Sequence, residues 1–343
     1  MTCMSDEINT RRFILVSAAA AGLGLVPLGM PKKAAAGQLV EWRGASLGAA
    51  ATVRIHHPDR YAAQHLLKQV VGETRRLETV FSLYRQDSSL CELNRRGTLV
   101  APPAELSDLL TLCDHFWRLT DGTFDPTVQP LWRCYADHFA RNDKTSPGPS
   151  LAERKEALEL VGWEKLQFDR DKIVFDRRGM GLTLNGIAQG YITDRMVELL
   201  RAAGIESCLV DMGEIRGLGG HPDGRPWEVA VEAPSGDFDA TRPISLVNKA
   251  VATSGAFGFR FDEQGRCNHL FDPSSGACAY PARNFTVGAA TAVCAAALST
   301  AFALMNEERI KAVLSQSGDA QLYVTTENET RTITAAPDDW RSH

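Results

Sequence analysis

Lys172–Met212 reads KIVFDRRGMGLTLNGIAQGYITDRMVELLRAAGIESCLVDM, and the rhythm of this stretch decides the fold class. Ile173 to Leu184 predicts an extended segment, and Asn185-Gly186 a turn. Ala188 to Ala203 predicts a helix stopped by Gly204, and Ser207 to Met212 a second strand. Strict alternation of this kind would build a parallel, doubly wound sheet, but the rest of the chain does not continue it. Further strands are expected at Ala51–His56, Trp227–Glu232, Val247–Thr253 and Phe285–Ala290, separated by long excursions. Helices are expected at Ala63–Phe81, Pro103–Leu119 and Val293–Met305. Residues 140–153, polar and carrying Pro147 and Pro149, form a surface loop, and no internal repeat is visible. The expectation is an α+β fold with a largely antiparallel sheet flanked by helices.

The chain has 343 residues, 44% hydrophobic and 23% charged, which suits a globular protein with a sizeable core. Its formal charge is −5 and no dense run of Lys and Arg occurs, which excludes electrostatic binding of nucleic acid or anionic lipid as the main activity. At the N-terminus, Thr10-Arg11-Arg12-Phe13-Ile14-Leu15 opens an uncharged stretch that reaches Pro31 and is interrupted by Pro27. Ala34-Ala35-Ala36 then precedes Gly37. Paired arginines before a weakly apolar segment and small residues at its end read as a twin-arginine signal peptide over residues 1–36, placing the mature protein in the periplasm with no membrane span. An uncleaved anchor is the alternative reading. One domain is expected over residues 37–343. Of eight cysteines, Cys3 lies in the signal segment, leaving Cys91, Cys113, Cys134, Cys208, Cys267, Cys278 and Cys294. Their number is odd and no CxxC pair exists, so they read as small buried apolar residues with at most one or two bridges.

Several segments combine residue types that bind or react. Gly179-Met180-Gly181 followed by Gly186 has the wrong spacing for a dinucleotide fingerprint. Asn185-Gly186-Ile187-Ala188-Gln189-Gly190 opens a helix, so its backbone N–H groups could face an anion, although an ordinary strand-to-helix turn reads the same way. Gly122-Thr123-Phe124-Asp125-Pro126-Thr127 supplies a carboxylate and two hydroxyls suited to a ribityl or ribose chain, or equally a turn with an Asp cap. Val251-Ala252-Thr253-Ser254-Gly255 ends a strand in two hydroxyls. In Asn268-His269-Leu270-Phe271-Asp272-Pro273 the odd spacing puts His269 and Asp272 on opposite faces of an extended segment.

Taken in order, these segments resemble the ApbE family of FAD:protein FMN transferases. The resemblance rests on Phe81-Ser82-Leu83-Tyr84 with Asp87-Ser88 and Leu93-Asn94, on Asp121 through Leu131, and on Leu184 through Tyr191. It continues through Trp227, Thr253-Ser254-Gly255, His269 through Pro273 and Ala297-Leu298-Ser299-Thr300-Ala301, so that nearly all of residues 44–306 takes part. Leu47-Gly48-Ala49 and Asp211-Met212-Gly213-Glu214-Ile215-Arg216 further resemble the NosX branch, accessory proteins of nitrous oxide reduction.

The resemblance implies FAD held between two lobes, Mg²⁺ on its pyrophosphate, and FMN transferred to a threonine hydroxyl of an acceptor flavoprotein with release of AMP. It implies flavin and ribityl contacts at Leu47, Thr123, Phe124 and Asp125, further FAD contacts at Thr183, Gln189 and Leu270, and a catalytic histidine at His269. For the metal it implies the Gly186 carbonyl, the Thr300 hydroxyl and the positions of Ala296 and Ser299. Here the chain departs from the family: Ala296 replaces an Asp, Ser299 is uncharged, and Gln189 replaces a Lys. The departures imply weak Mg²⁺ binding and leave two other readings beside the transferase, an FAD carrier or chaperone and an FAD pyrophosphatase. The acceptor implied by the NosX branch is a NosR-like membrane protein.

Overall fold

The computed structural model describes residues 37–232, 238–280 and 282–334. The signal segment read at residues 1–36 lies outside them. The described chain begins with the hairpin β1 (Gln38–Ser46) and β2 (Ala49–His57), followed by helices α1 (Arg60–Phe81) and α2 (Ser89–Arg96), strand β3 (Thr98–Val100) and helix α3 (Ala104–Leu119). Then come α4 (Gln129–Arg141), α5 (Leu151–Leu158), β4 (Leu166–Phe168), β5 (Lys172–Phe175), α6 (Ala188–Ala202), β6 (Cys208–Asp211) and β7 (Ile215–Leu218). The last part holds β8 (Trp227–Glu232), β9 (Phe238–Leu246), β10 (Ala250–Gly255), β11 (Asn284–Ala289), α7 (Ala292–Phe302), α8 (Glu307–Leu314), β12 (Gln321–Thr325) and β13 (Thr330–Ile333).

Eight strands form one sheet in the order β1-β2-β6-β7-β10-β11-β12-β13, and every pairing in it is antiparallel. Helix α1 covers one face. Asp59 caps it by accepting from the Tyr61 and Ala62 N–H groups, and its inward side buries Leu67, Val70, Leu77, Val80 and Phe81. Helices α6 and α7 lie beside it against the same face. Asp194, on α6, ties the two together: its carboxylate accepts from the Ala292 and Val293 N–H groups at the start of α7, both at 2.9 Å, and pairs with Arg216 of β7 at 2.8 Å. An acid at a helix N-terminus satisfies donors the helix itself leaves open.

The opposite face is covered around β6 and β10 by the β8–β9 hairpin, through Trp227, Val229, Ile244 and Leu246. A small antiparallel sheet, β3-β5-β4, sends Leu99, Leu166 and Ile173 into the core of the large sheet. A separate cluster of Leu131, Tyr135, Phe261 and Phe271 builds the other wall of the cleft.

The α+β expectation therefore holds, with three local corrections. The extended segment expected over Ile173–Leu184 is a strand only to Phe175 and belongs to the small sheet. Beyond it the chain leaves regular pairing, and Asn94 takes over by bonding both the N–H and the carbonyl of Leu182 at 2.7 and 2.8 Å. The strand expected from Val247 starts at Ala250, because Asn248 takes a left-handed turn at φ 54° and accepts from Gly219 N–H. The surface loop read over 140–153 is shorter, since α4 runs to Arg141 and the Ser150–Glu153 capping box starts α5 at Leu151.

Candidate active site

A cavity of about 430 Å³ opens between the β1–β2 turn, the Thr120–Val128 loop, the start of α6, the end of β10, the His269 segment and α7. A broader groove of about 600 Å³ lies between β1 and α1, but its lining holds no histidine or hydroxyl. The first cavity is the one with chemistry.

Its first wall is the turn Leu47-Gly48. Ser46 pairs with Ala49, so the loop has two residues, and both have positive φ, 48° and 84°. This geometry suits Asn-Gly; a leucine in the left-handed region costs about 1–2 kcal/mol. Glu78 offsets part of that by accepting from Leu47 N–H at 2.7 Å, and the strain presents the Leu47 side chain to the cavity. Leu47→Asn is therefore expected to raise the melting temperature by a few degrees while lowering FAD affinity. Thermal unfolding beside an FAD titration checks both, and unchanged affinity would show that the side chain does not reach the flavin.

Thr123, Phe124 and Asp125 lie on the second wall. Thr120 turns the chain by accepting from Phe124 N–H at 3.0 Å. Arg309 of α8 donates to Thr123 Oγ1 at 3.0 Å and to the Thr120 carbonyl at 3.2 Å. This support escaped the sequence reading because nothing local in α8 points to a loop so far away in the chain. Asp125 caps the turn. Its Oδ1 accepts from Thr127 N–H and Oγ1 at 2.7 and 2.6 Å, and its Oδ2 accepts from Trp163 N–H at 3.2 Å. Those bonds hold the loop together, so Asp125 acts as the turn cap that the sequence left open while the residue also lines the cavity.

Burial pushes the Asp125 carboxyl up to about 6 against those hydrogen bonds, and burial does the same to Asp211, which accepts from Gly213 N–H. A carboxyl raised above its unfolded value of 3.8 favours the folded state in acid, and that contribution is lost as pH rises through about 6. Each group therefore removes up to roughly 3 kcal/mol between pH 4 and 7. The melting temperature is expected to fall over that range, with a smaller fall in Asp125→Asn. A flat profile in the unsubstituted protein would contradict the burial argument.

The third wall is the start of α6. Thr183, Gly186 and Gln189 all face the cavity. The Ile187 and Ala188 N–H groups both return to the Leu184 carbonyl, at 3.0 and 2.7 Å, so two of the donors read as an anion cradle are already used. Gly186 lies flat against α7, and a Cβ there would sit 3.1 Å from Thr300 Oγ1. Thr300 shares a hydroxyl cluster with Ser254 Oγ, at 3.3 Å, while Ser254 and Ser299 Oγ are 2.9 Å apart. Ser299 itself is buried behind the wall and donates to the Ala296 carbonyl at 3.0 Å.

That cluster is the place the family resemblance implies for Mg²⁺, and its chemistry does not fit a resident divalent ion. Mg²⁺ sites use one or two carboxylates beside water and phosphate, whereas the donors here are neutral hydroxyls and a peptide carbonyl. Among the described residues no group of three His, Cys, Asp or Glu could hold a metal.

His269 and Leu270 complete the lining. The Nδ1 of His269 lies 3.2 Å from the Phe259 carbonyl, which can only accept, so Nδ1 carries the proton and Nε2 the lone pair. Asp272 points away, with its carboxylate bonded to Ser274 and Ser275 in the following turn, as the odd spacing predicts. Trp132, Phe259 and Phe271 add an aromatic side to the cavity, and Glu214 a buried acid. The sequence signal for Glu214 was present in its motif, but nothing there assigned it to this pocket.

Antiparallel sheet, cleft and lining together are those of a flavin transferase. A solved flavinyl transferase ApbE from Pseudomonas stutzeri superposes with TM-score 0.71 at 27% identity, covering 88% of this chain and 96% of that one. Residues 47–324 match the ApbE family, and the chain belongs to it. The FAD:protein FMN transferase of Haemophilus influenzae is 30% identical over 265 residues, 72% of this chain and 75% of that protein. The one from Vibrio cholerae is 32% identical over 242 residues, 68% and 71% of the two chains.

Proposed function

We propose that the protein moves FMN from FAD to a threonine hydroxyl of an acceptor flavoprotein and releases AMP. The observation that carries this reading is the convergence of His269 with Leu47, Thr123, Phe124, Thr183, Gln189, Leu270 and Thr300 on one cavity, although these residues come from five separate segments. A flavin fits the aromatic and aliphatic side formed by Leu47, Phe124, Trp132 and Phe259, and the hydroxyls suit its ribityl chain. The acceptor oxygen attacks the FMN phosphorus, its proton passes to His269 Nε2, and the bond from that phosphorus to the bridging oxygen breaks as AMP leaves. The Phe259 carbonyl holds the ring in the tautomer that can accept this proton.

Incubation with FAD and a threonine-containing acceptor peptide tests the reading: peptide-bound FMN with AMP supports it. Free FMN with AMP would instead mark a pyrophosphatase, and bound, intact FAD a carrier. The carrier reading draws on one feature, the absence of a carboxylate at Ala296. We further propose that Mg²⁺ joins only together with FAD, whose phosphates supply the missing charge. Ala296→Asp is expected to strengthen Mg²⁺ binding by about tenfold, read by titration calorimetry with and without FAD. Tight Mg²⁺ binding by the unsubstituted protein without FAD would overturn this.

The Arg11-Arg12 segment and the Leu47–Ala49 and Asp211–Arg216 motifs support a periplasmic place of action, reached by the twin-arginine route, and a NosR-like acceptor in nitrous oxide reduction.

A further inference from the structure

Strand β1 is an edge of the large sheet, and α1 runs beside it in the same direction. The helix starts shortly after His57, which pairs with Gln38, and near its end Glu78 accepts from Leu47 N–H. The groove of about 600 Å³ between them therefore leads towards the cavity wall at Leu47. Ser46 and Ala49 close a two-residue turn, so Ser46, Gly44, Trp42 and Val40 exchange hydrogen bonds with β2. The backbone N–H and carbonyl groups of Leu39, Glu41 and Arg43 point outward instead, where no strand among the described residues pairs with them.

Inside, the groove is apolar, with Trp42, Leu67 and Val71, and its rim is basic, with Arg60, Lys68 and Arg75. Among the described residues none of these three cations has an ion-pair partner, in a chain whose formal charge is −5. Glu41, the acid of the lining, is already paired with Arg54 at 2.6 Å and with Arg43. Gly72 lines the groove from the interior of α1, where glycine is a weak helix former, and a Cβ there would meet nothing within 4 Å. No packing in the described chain requires so small a residue; it keeps the groove open.

We propose that this groove takes an extended segment of the acceptor flavoprotein, alternating apolar and acidic residues, as a strand added to β1. An added strand supplies the N–H and carbonyl partners that the outer edge of β1 lacks. Its apolar side chains fill the space over Gly72 beside Trp42, Leu67 and Val71, and its acids meet the basic rim. A second copy of this chain is the poorer occupant, since pairing β1 with β1 across a two-fold axis would bring two basic rims together. From Trp42 to Leu47 is about 17 Å of strand, so the groove holds the acceptor while a threonine further along its chain reaches His269. The identity of the occupant as acceptor rests on the transfer reading above; the acidic strand rests on the groove alone.

The test titrates the full chain with a fluorescein-labelled peptide alternating valine and glutamate over about eight residues, a usual strand length, read by fluorescence anisotropy. Binding is expected, and a peptide alternating valine and lysine is expected not to bind. Gly72→Trp, which fills the groove, is expected to weaken binding at least about tenfold while the melting temperature is kept. Equal binding of both peptides, or unchanged binding by Gly72→Trp, would overturn the proposal, as would a dimer of the natural protein that Gly72→Trp dissolves. The second arm joins the valine–glutamate segment to a threonine peptide by a flexible linker of about ten residues, whose mean reach matches that span. With FAD present, the fusion is expected to lower KM about tenfold against the threonine peptide alone, with kcat unchanged, and Gly72→Trp is expected to remove the gain. A fusion that binds without lowering KM would overturn the acceptor as occupant. Binding with no FMN transfer to either threonine peptide would overturn the transferase reading and the acceptor with it, and would support the acidic strand.

Discussion

Replacing His269 with alanine is expected to cut FMN transfer by about 100-fold or more while FAD stays bound, the scale on which removing a general base acts. The imidazole is one part of a lining that includes Leu47, Phe124, Thr183, Gln189 and Leu270, so its loss takes little from the binding surface and removes the proton acceptor. Its Nδ1 donates to the Phe259 carbonyl, which a shortened side chain leaves near the cavity and open to water. Transfer rate and FAD affinity measured on the same preparation separate the two effects. Transfer at the normal rate would make the histidine a structural residue, and a parallel collapse of FAD binding would make it a ligand contact.

A second large effect is expected at Gly190, in the first turn of α6. A Cβ there would stand 2.4 Å from the Ala292 carbonyl oxygen and 2.8 Å from Val293 Cα, both backbone atoms at the start of α7. Backbone cannot rotate aside as a side chain would, so Gly190→Ala has to push the two helices apart, at a cost of about 3 kcal/mol or more. The same displacement separates Gln189 from Thr300 and strains the Asp194 bonds to Ala292 and Val293. Thermal unfolding and FAD titration are both expected to show the loss, and a normal melting temperature would mean that the helices have slack. Asp194→Asn, which keeps the shape and weakens the charge, is expected to do less.

What the sequence could and could not disclose follows from how far each interaction reaches. Helices α1, α3, α6 and α7 were legible because each carries several turns of apolar spacing. Helices α2 and α8 have eight residues each, too few for periodicity to stand out, and the sequence reading did not find them. Strand β5 was overextended because apolar residues continue past Phe175 as Met180, Leu182 and Leu184, which bury without pairing. At the site, the residues implied for flavin and catalysis all line one cavity, whereas Ala296 and Ser299, implied for the metal, lie behind it. Asp125 read equally as a ligand contact or a turn cap, and three dimensions show the cap, with its oxygens accepting from Thr127 and Trp163. Arg309 could not be read at all, because its partner Thr123 is 186 positions away.

The order of the large sheet has a consequence for how the chain is made. Strand β2 pairs on its second side with β6, joining Thr52 to Asp211 and Ile55 to Cys208. During synthesis its outer N–H and carbonyl groups therefore stay unpaired until some 150 further residues have emerged. Such distant pairing folds slowly and leaves an exposed strand edge in the meantime. The cavity spans the same distance and more, from Leu47 to Leu304. A growing chain can offer FAD neither Thr300 nor His269 until nearly all of it has left the ribosome. Ligand binding in this cavity therefore adds stability only to chains in which the N-terminal hairpin and the His269 and Thr300 segments have already come together.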